Sequence, residues 1–138
     1  MKDKGVAIGV LKKYFAQDAF AELCGIELIE AEDGRAVAVV RIEDKHLNGI
    51  GLVHGGLLCT LADLAFAAAA HTRGKVAVSI SNTISYIKPA QGKLLRAEAV
   101  EISRNVRLGT YAVNVLDESR EVIAAFQGVA YIKNQNIL

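Results

Sequence analysis

The run from Gly55 to Ala70, Gly-Gly-Leu-Leu-Cys-Thr-Leu-Ala-Asp-Leu-Ala-Phe-Ala-Ala-Ala-Ala, constrains this chain more than any other stretch. It is long enough for about four helical turns. It has no polar stripe at the period that surface helices show, so the helix is expected to be buried on every side. A membrane span is the weaker reading, because the run is short for a bilayer, relies on alanine and carries a carboxylate, Asp63, at its centre. That carboxylate is the feature to explain: an ionised acid is costly to desolvate without a partner.

The flanking segments read as the cover for this helix. Apolar residues at Ile8, Leu11, Phe15, Ala19, Phe20 and Leu23 predict an amphipathic helix or two short ones, closed by Gly25. Ile26 to Glu32 and Arg35 to Glu43 form a hairpin around a Glu-Asp-Gly turn. After Gly74 comes a long strand in which Ser79, Ser81, Thr83 and Ser85 alternate with Ile80, Asn82, Ile84 and Tyr86, which predicts a hydroxyl-lined face. Three more strands follow over Leu94–Ser103, Arg107–Leu116 and Val122–Ile132. One α+β domain over residues 1–138 is predicted, with the long helix followed by a meander and an antiparallel sheet of five to six strands curled around that helix. Val37, Ala38, Val39 and Val40 are adjacent rather than alternating, so the sheet is expected to bury both faces and to meet a partner subunit. Dimerisation into one continuous sheet would also relieve an open edge strand.

Sixteen basic residues against fifteen acidic ones leave a net charge of +1, with no footprint for nucleic acid or an anionic membrane. Met1 to Gly9 lacks the apolar region of a secretory signal, and a cytoplasmic location is expected. Cys24 and Cys59 have neither a disulfide framework nor metal-ligand spacing, and both are taken as reduced, Cys59 as a small hydrophobe of the core. His46 and His71 read as surface or helix-end residues, and no cluster has the spacing of a metal site.

Asn48-Gly-Ile-Gly51-x-x-His54-Gly55-Gly56, then Leu58-x-x-x-Ala62-Asp63, then Ser85-Tyr86-Ile87-Lys88-Pro89, resembles the hotdog-fold acyl-CoA thioesterases of the phenylacetic-acid-degradation (PaaI-like) branch. Order and spacing match over roughly Gly25 to Ile132. The resemblance implies a hotdog fold and hydrolysis of an acyl-CoA thioester. It casts Asp63 as the catalytic acid that attacks the thioester carbonyl or activates a water. Gly55 becomes the residue whose backbone N–H polarises the carbonyl oxygen, and Asn48 and His54 the polar loop residues that orient thioester or water. Ser79 aligns with a serine or threonine that supports the acid or the water in some members. No cofactor is implied, coenzyme A being part of the substrate, and the resemblance implies a homo-oligomer, either a dimer or a homotetramer built as a dimer of dimers. Each residue also has a plainer reading: Asp63 as a structural cap, His54 as a helix-start cap, Asn48 as an Asx-turn, Ser79 as a generic polar strand position. Cys59 as a nucleophile lacks a histidine one turn away.

Asp63 lies eight residues beyond Gly55, hence about 12 Å along the helix axis. Each group must act at about 3 Å from one carbonyl, so the acid is expected to meet the Gly55 N–H of a second, antiparallel copy of the helix, in a site shared between subunits. Lys88, Arg104, Arg107 and Lys133 are basic residues near strand ends that could meet the phosphates of coenzyme A. Two other functions fit a hotdog fold: a non-catalytic thioester-binding module, and a hydratase or dehydratase of enoyl thioesters, whose helix motif with an Asp-His pair is absent here.

Overall fold

The apolar run forms a single helix, and the rest of the chain is arranged around it. The computed structural model describes residues 5–137. Two short helices, α1 (Ile8–Phe15) and α2 (Ala19–Cys24), precede a hairpin of β1 (Glu27–Glu32) and β2 (Arg35–Arg41). A single 3-10 turn, Asp44–His46, leads to the long helix α3 (Gly55–His71), followed by β3 (Lys75–Tyr86), β4 (Leu94–Arg104), β5 (Leu108–Leu116) and β6 (Val122–Asn136). Gly25 closes α2 in the left-handed conformation, at φ 79°. The hairpin turn is made by Asp33 and Gly34, both at positive φ, which matches the twist of the two strands it joins. No described helix is long and apolar enough to cross a membrane.

The six strands form one sheet in the order β1-β2-β4-β5-β6-β3, and each neighbouring pair is antiparallel. A meander of all four strands after the helix would put β3 beside β4. Instead β4 pairs with β2, and β3 lies against β6 at the far edge. The reason is the path of α3, which packs against all six strands as it crosses the concave face and delivers the chain to the opposite edge. Phe66 of α3 anchors the centre, with ring centroids 5.6 Å from both Tyr111 of β5 and Phe126 of β6.

Full burial of α3 does not hold within one chain. Leu57, Leu58, Leu61, Ala62, Leu64, Ala65, Phe66 and the alanines at 68–70 face the sheet and are buried. Gly56, Thr60, Asp63 and Ala67, spaced by four, three and four residues, form a stripe that the sheet leaves open, and Asp63 on it is exposed. Cys59 flanks this stripe and is only half-buried, not a core residue.

The two histidines read as surface or helix-end residues are both buried, His46 to 5% exposure and His71 to 4%. His46 accepts the Glu43 N–H at Nδ1 (2.9 Å) and meets the Cys24 carbonyl through Nε2 (2.7 Å), tying the chain after β2 to the end of α2. His71 does stand at a helix end. Its Nδ1 meets the Ala67 carbonyl (2.6 Å) and its Nε2 accepts the Ala77 N–H (3.2 Å), while its ring packs on Tyr14 and Phe15. Burial holds its pKa below the ordinary imidazole value, with Arg104 adding to the effect, so the neutral ring serves as a rivet between α3, β3 and α1.

Strand β3 has a bulge between Ser79 and Ser81 that sorts its residues between the faces of the sheet. Ser79 pairs with Ala130, whereas Ser81 pairs with Val129, leaving Ile80 as the extra residue. Directly paired residues share a face. Ser79, Asn82, Ile84 and Tyr86 therefore lie on the helix side with Ala130, Gly128, Phe126 and Ala124, and Ser81, Thr83 and Ser85 lie on the other. The expected single face of hydroxyls is thus divided.

Gly128, beside Asn82, is required by the approach of Phe66: an added Cβ would stand 2.9 Å from Phe66 Cζ and 3.0 Å from Phe126 Cε1. Gly128→Ala is expected to destabilise the chain by about 1–3 kcal/mol, the range for overfilling a packed core. Denaturant unfolding measures it, and an unchanged midpoint would mean that the centre of the sheet is loosely packed.

Candidate active site

The loop before α3 is closed by Asn48. Its side-chain Oδ1 accepts the N–H groups of Ile50 (3.0 Å) and Leu52 (3.1 Å), and its own N–H donates to the Leu52 carbonyl (2.7 Å). An isolated bridge between Leu47 and Val53 completes a small closed loop, and Gly51 takes the left-handed conformation it needs at φ 79°. Asn48 thus acts as the Asx-turn residue that its type allows, and its amide nitrogen is the group left over for other contacts.

His54 is the N-cap of α3. Its Nδ1 accepts the Gly56 N–H (2.8 Å), which places the remaining proton of a neutral ring on Nε2. The His54 carbonyl accepts the N–H groups of Leu57 (3.0 Å) and Leu58 (3.4 Å). A helix start presents free N–H groups at the positive end of the dipole. Here the cap consumes the second of them and the His54 carbonyl the third and fourth. Among the described residues no acceptor meets the Gly55 N–H, which leaves it available to an oxyanion.

Asp63 lies about 12 Å along the same axis, too far to share one carbonyl with Gly55 of its own chain. The structure therefore gathers Asn48, His54 and Gly55 at one end of α3 and leaves Asp63 apart on the open stripe. Desolvation by its apolar surroundings raises the Asp63 pKa above the ordinary carboxylate value, and the Asp18 carboxylate at the start of α2 adds to the rise. Cys59, one turn earlier, has its thiol pKa raised by burial and by Asp63, which keeps it protonated and unsuited to nucleophilic attack.

Ser79 is exposed and on the helix side of β3. On the same side Tyr86, read from sequence only as part of a motif, packs against the first residue of α3. An added Cβ at Gly55 would lie 3.2 Å from Tyr86 Cζ. Nothing in the sequence signals a contact between residues so far apart. A cavity of about 580 Å³ lies between the β4–β5 turn and the ends of β3 and β6, lined by Arg73, Lys75, Arg104, Arg107 and Lys133 among others. Three of the four basic residues singled out from sequence meet there, joined by Arg73 and Lys75. Lys88 lies elsewhere, paired with Glu121. Arg73 is held by Glu101 (2.9 Å), and Arg104 donates to the Ala70 carbonyl (3.1 Å). Among the described residues no group of three or more His, Cys, Asp or Glu could hold a metal ion.

A six-stranded antiparallel sheet wrapped around one long helix, with a capped glycine start and an acid on the helix, defines the hotdog class. The family model described as the thioesterase superfamily matches residues 50–124. The acyl-coenzyme A thioesterase PaaI of Escherichia coli is 32% identical over 118 residues, covering 85% of this chain and 84% of the relative. The solved structure of the E. coli PaaI protein superposes with a TM-score of 0.89 at 28% identity, covering 94% of each chain. A mutant structure of the phenylacetic acid degradation protein PaaI from Thermus thermophilus gives a TM-score of 0.78 at 36% identity, covering 83% of this chain and 98% of that one. This chain belongs to the thioesterase superfamily, on its PaaI-like branch.

Because the folded state binds the Asp63 proton more tightly than the unfolded chain does, stability is lost as pH rises from the unfolded carboxylate value of about 3.9 through the raised folded one. Asp63→Asn is expected to melt at higher temperature than the wild type at neutral pH, with the two curves converging in acid below that value. Thermal melts across pH measure this. A constant offset would mean that the carboxylate sits in an ordinary aqueous setting.

Proposed function

We propose that the chain hydrolyses the thioester of an aromatic or a medium- or long-chain acyl-coenzyme A to free acid and coenzyme A, in a site shared between two subunits. The observation that carries this reading is the pairing of an unclaimed Gly55 N–H at the start of α3 with a carboxylate of raised pKa on the open stripe of the same helix. Two copies would bring these groups together. β3 is an edge strand, with one side of its backbone unpaired in the single chain. Antiparallel pairing of β3 with its counterpart would continue the sheet, lay the two α3 helices side by side and cover the stripe of Gly56, Thr60, Asp63 and Ala67. The largely apolar sequence of α3 supports such a cover, and a homotetramer formed from two such dimers follows the family pattern.

In this site Asp63 of one subunit either attacks the thioester carbonyl carbon, with water then hydrolysing the resulting anhydride, or takes a proton from the attacking water and returns it to the departing coenzyme A sulfur. The Gly55 N–H of the other subunit holds the negative charge that develops on oxygen, and the coenzyme A thiol leaves. Asn48, through its free amide, and His54, through Nε2, orient the thioester or the water, and Ser79 supports the acid from β3. The basic cavity receives the phosphates of coenzyme A, with Arg107 and Lys133, which make no ion pair among the described residues, as the cations most available to them. The whole chain acts as one catalytic domain in the cytoplasm, and no cofactor is required beyond the coenzyme A of the substrate.

Thiol release from a panel of aromatic and straight-chain acyl-CoAs tests the reading, run with wild type and Asp63→Asn in parallel. Turnover is expected from the wild type and its loss, by about a thousandfold or more, from the nearly isosteric variant. The wild-type rate is expected to fall as pH drops through the raised pKa of Asp63, since only the carboxylate can attack or accept a proton. Near-native turnover by the variant would remove Asp63 from the mechanism, and wild-type binding without turnover would favour the thioester-binding module. Sedimentation should find a dimer or tetramer; a monomer at all concentrations would exclude the shared site.

A further inference from the structure

We propose that the phenolic O–H of Tyr86 is a second hydrogen-bond donor to the thioester carbonyl oxygen, beside the Gly55 N–H. This rests on reading the start of α3 as the oxyanion site. Tyr86 closes β3 on the helix side, paired with Ala124, and its ring lies against the first helical residue. A Cβ at Gly55 would stand 3.2 Å from Tyr86 Cζ, 3.3 Å from Cε1 and 3.5 Å from the hydroxyl oxygen.

The direction of that contact matters. In a helix each Cα–Cβ bond tilts toward the N-terminus, so a group that would touch a Cβ on the first residue lies toward the end where the free N–H groups emerge. A Cβ lies about 2.5 Å from its own backbone nitrogen, so the hydroxyl, 3.5 Å from that position, stands within about 6 Å of the Gly55 nitrogen, a span that one acceptor oxygen can bridge. Among the described residues it makes no hydrogen bond of its own, and the side chain is 54% exposed. An open phenol with nothing to donate to, beside an open amide, is what an absent acceptor would join. Burial of part of the ring and the nearby Cys59 raise the phenol pKa above its usual value, which keeps the proton on oxygen.

The same contact gives Gly55 a reason to be glycine. Its backbone is helical and needs no special freedom, but any side chain would press on the Tyr86 ring and move the hydroxyl away. In the reaction, attack on the carbonyl carbon moves the π pair of the C=O bond onto oxygen. Two donors then share the charge. Collapse returns the pair to the C–O bond and expels the coenzyme A sulfur with the electrons of the C–S bond, while the proton of Tyr86 stays on its own oxygen throughout.

Tyr86→Phe keeps the ring and removes the donor; Tyr86→Leu removes both. Both are measured by thiol release on an acyl-CoA that the wild type hydrolyses, with thermal melts to confirm folding. The expected result is a fall in kcat of about a hundredfold for Tyr86→Phe, the scale of losing one oxyanion donor, with KM within about twofold of wild type. Tyr86→Leu should lose at least as much kcat. Wild-type kcat in Tyr86→Phe with loss only in Tyr86→Leu would overturn the proposal and make the ring a packing element. A change in KM alone would overturn it as well, assigning Tyr86 to ground-state binding. A wild type inert toward every acyl thioester would overturn the thioesterase reading itself, a result distinguishable because it appears before any variant is made.

Discussion

A helix that is apolar on all sides cannot be covered by one curved sheet. The six strands here enclose most of α3 and stop, leaving the line of Gly56, Thr60, Asp63 and Ala67. Much else in the molecule depends on that incompleteness. It sets the acid at a boundary, neither in bulk water nor sealed inside. Small side chains along a helix and free backbone along an edge strand are what the proposed pairing of two copies would cover.

At the helix start the important quantity is how few donors remain. A longer polar loop could have satisfied every N–H there, and a bare helix start would have left several. Instead the His54 imidazole and carbonyl occupy three donors and leave one. Selectivity of this sort makes the cap part of the local electrostatics: His54 decides which amide is left open. The plain reading of this histidine as a cap and the functional reading of the loop are therefore compatible. Asn48 behaves the same way, spending its carbonyl on the loop and keeping its amide.

The sequence was most legible where periodicity and local chemistry decide the outcome. The span of α3, the Asp33–Gly34 turn, the Gly25 stop and the strand segments all follow from residues close in the chain. The motif residues were legible too, because spacing along one loop and one helix fixes their order. What could not be read depends on distant contacts. The position of β3 at the far edge follows from the path of α3 over the sheet, which no local pattern encodes. The burial of His46 and His71 depends on carbonyls at Cys24 and Ala67 and, for His71, on rings from α1. The Tyr86 ring on Gly55 and the gathering of Arg73 and Lys75 with Arg107 and Lys133 are products of topology in the same sense.

The bulge at Ile80 acts as a phase shift in β3. Before it, odd-numbered positions face the helix; after it, even-numbered ones do. Ser79 and Tyr86 are seven residues apart and could not face the same way along a regular strand, yet both look toward α3. A single extra residue thus keeps a hydroxyl in the middle of the strand and a phenol at its end on one side. It also fixes where the strand can change length: deleting Ile80 itself would leave Ser79 and Tyr86 six residues apart and still on one side, whereas deleting a residue between Ser81 and Ser85 with the bulge kept would turn one of the two outward.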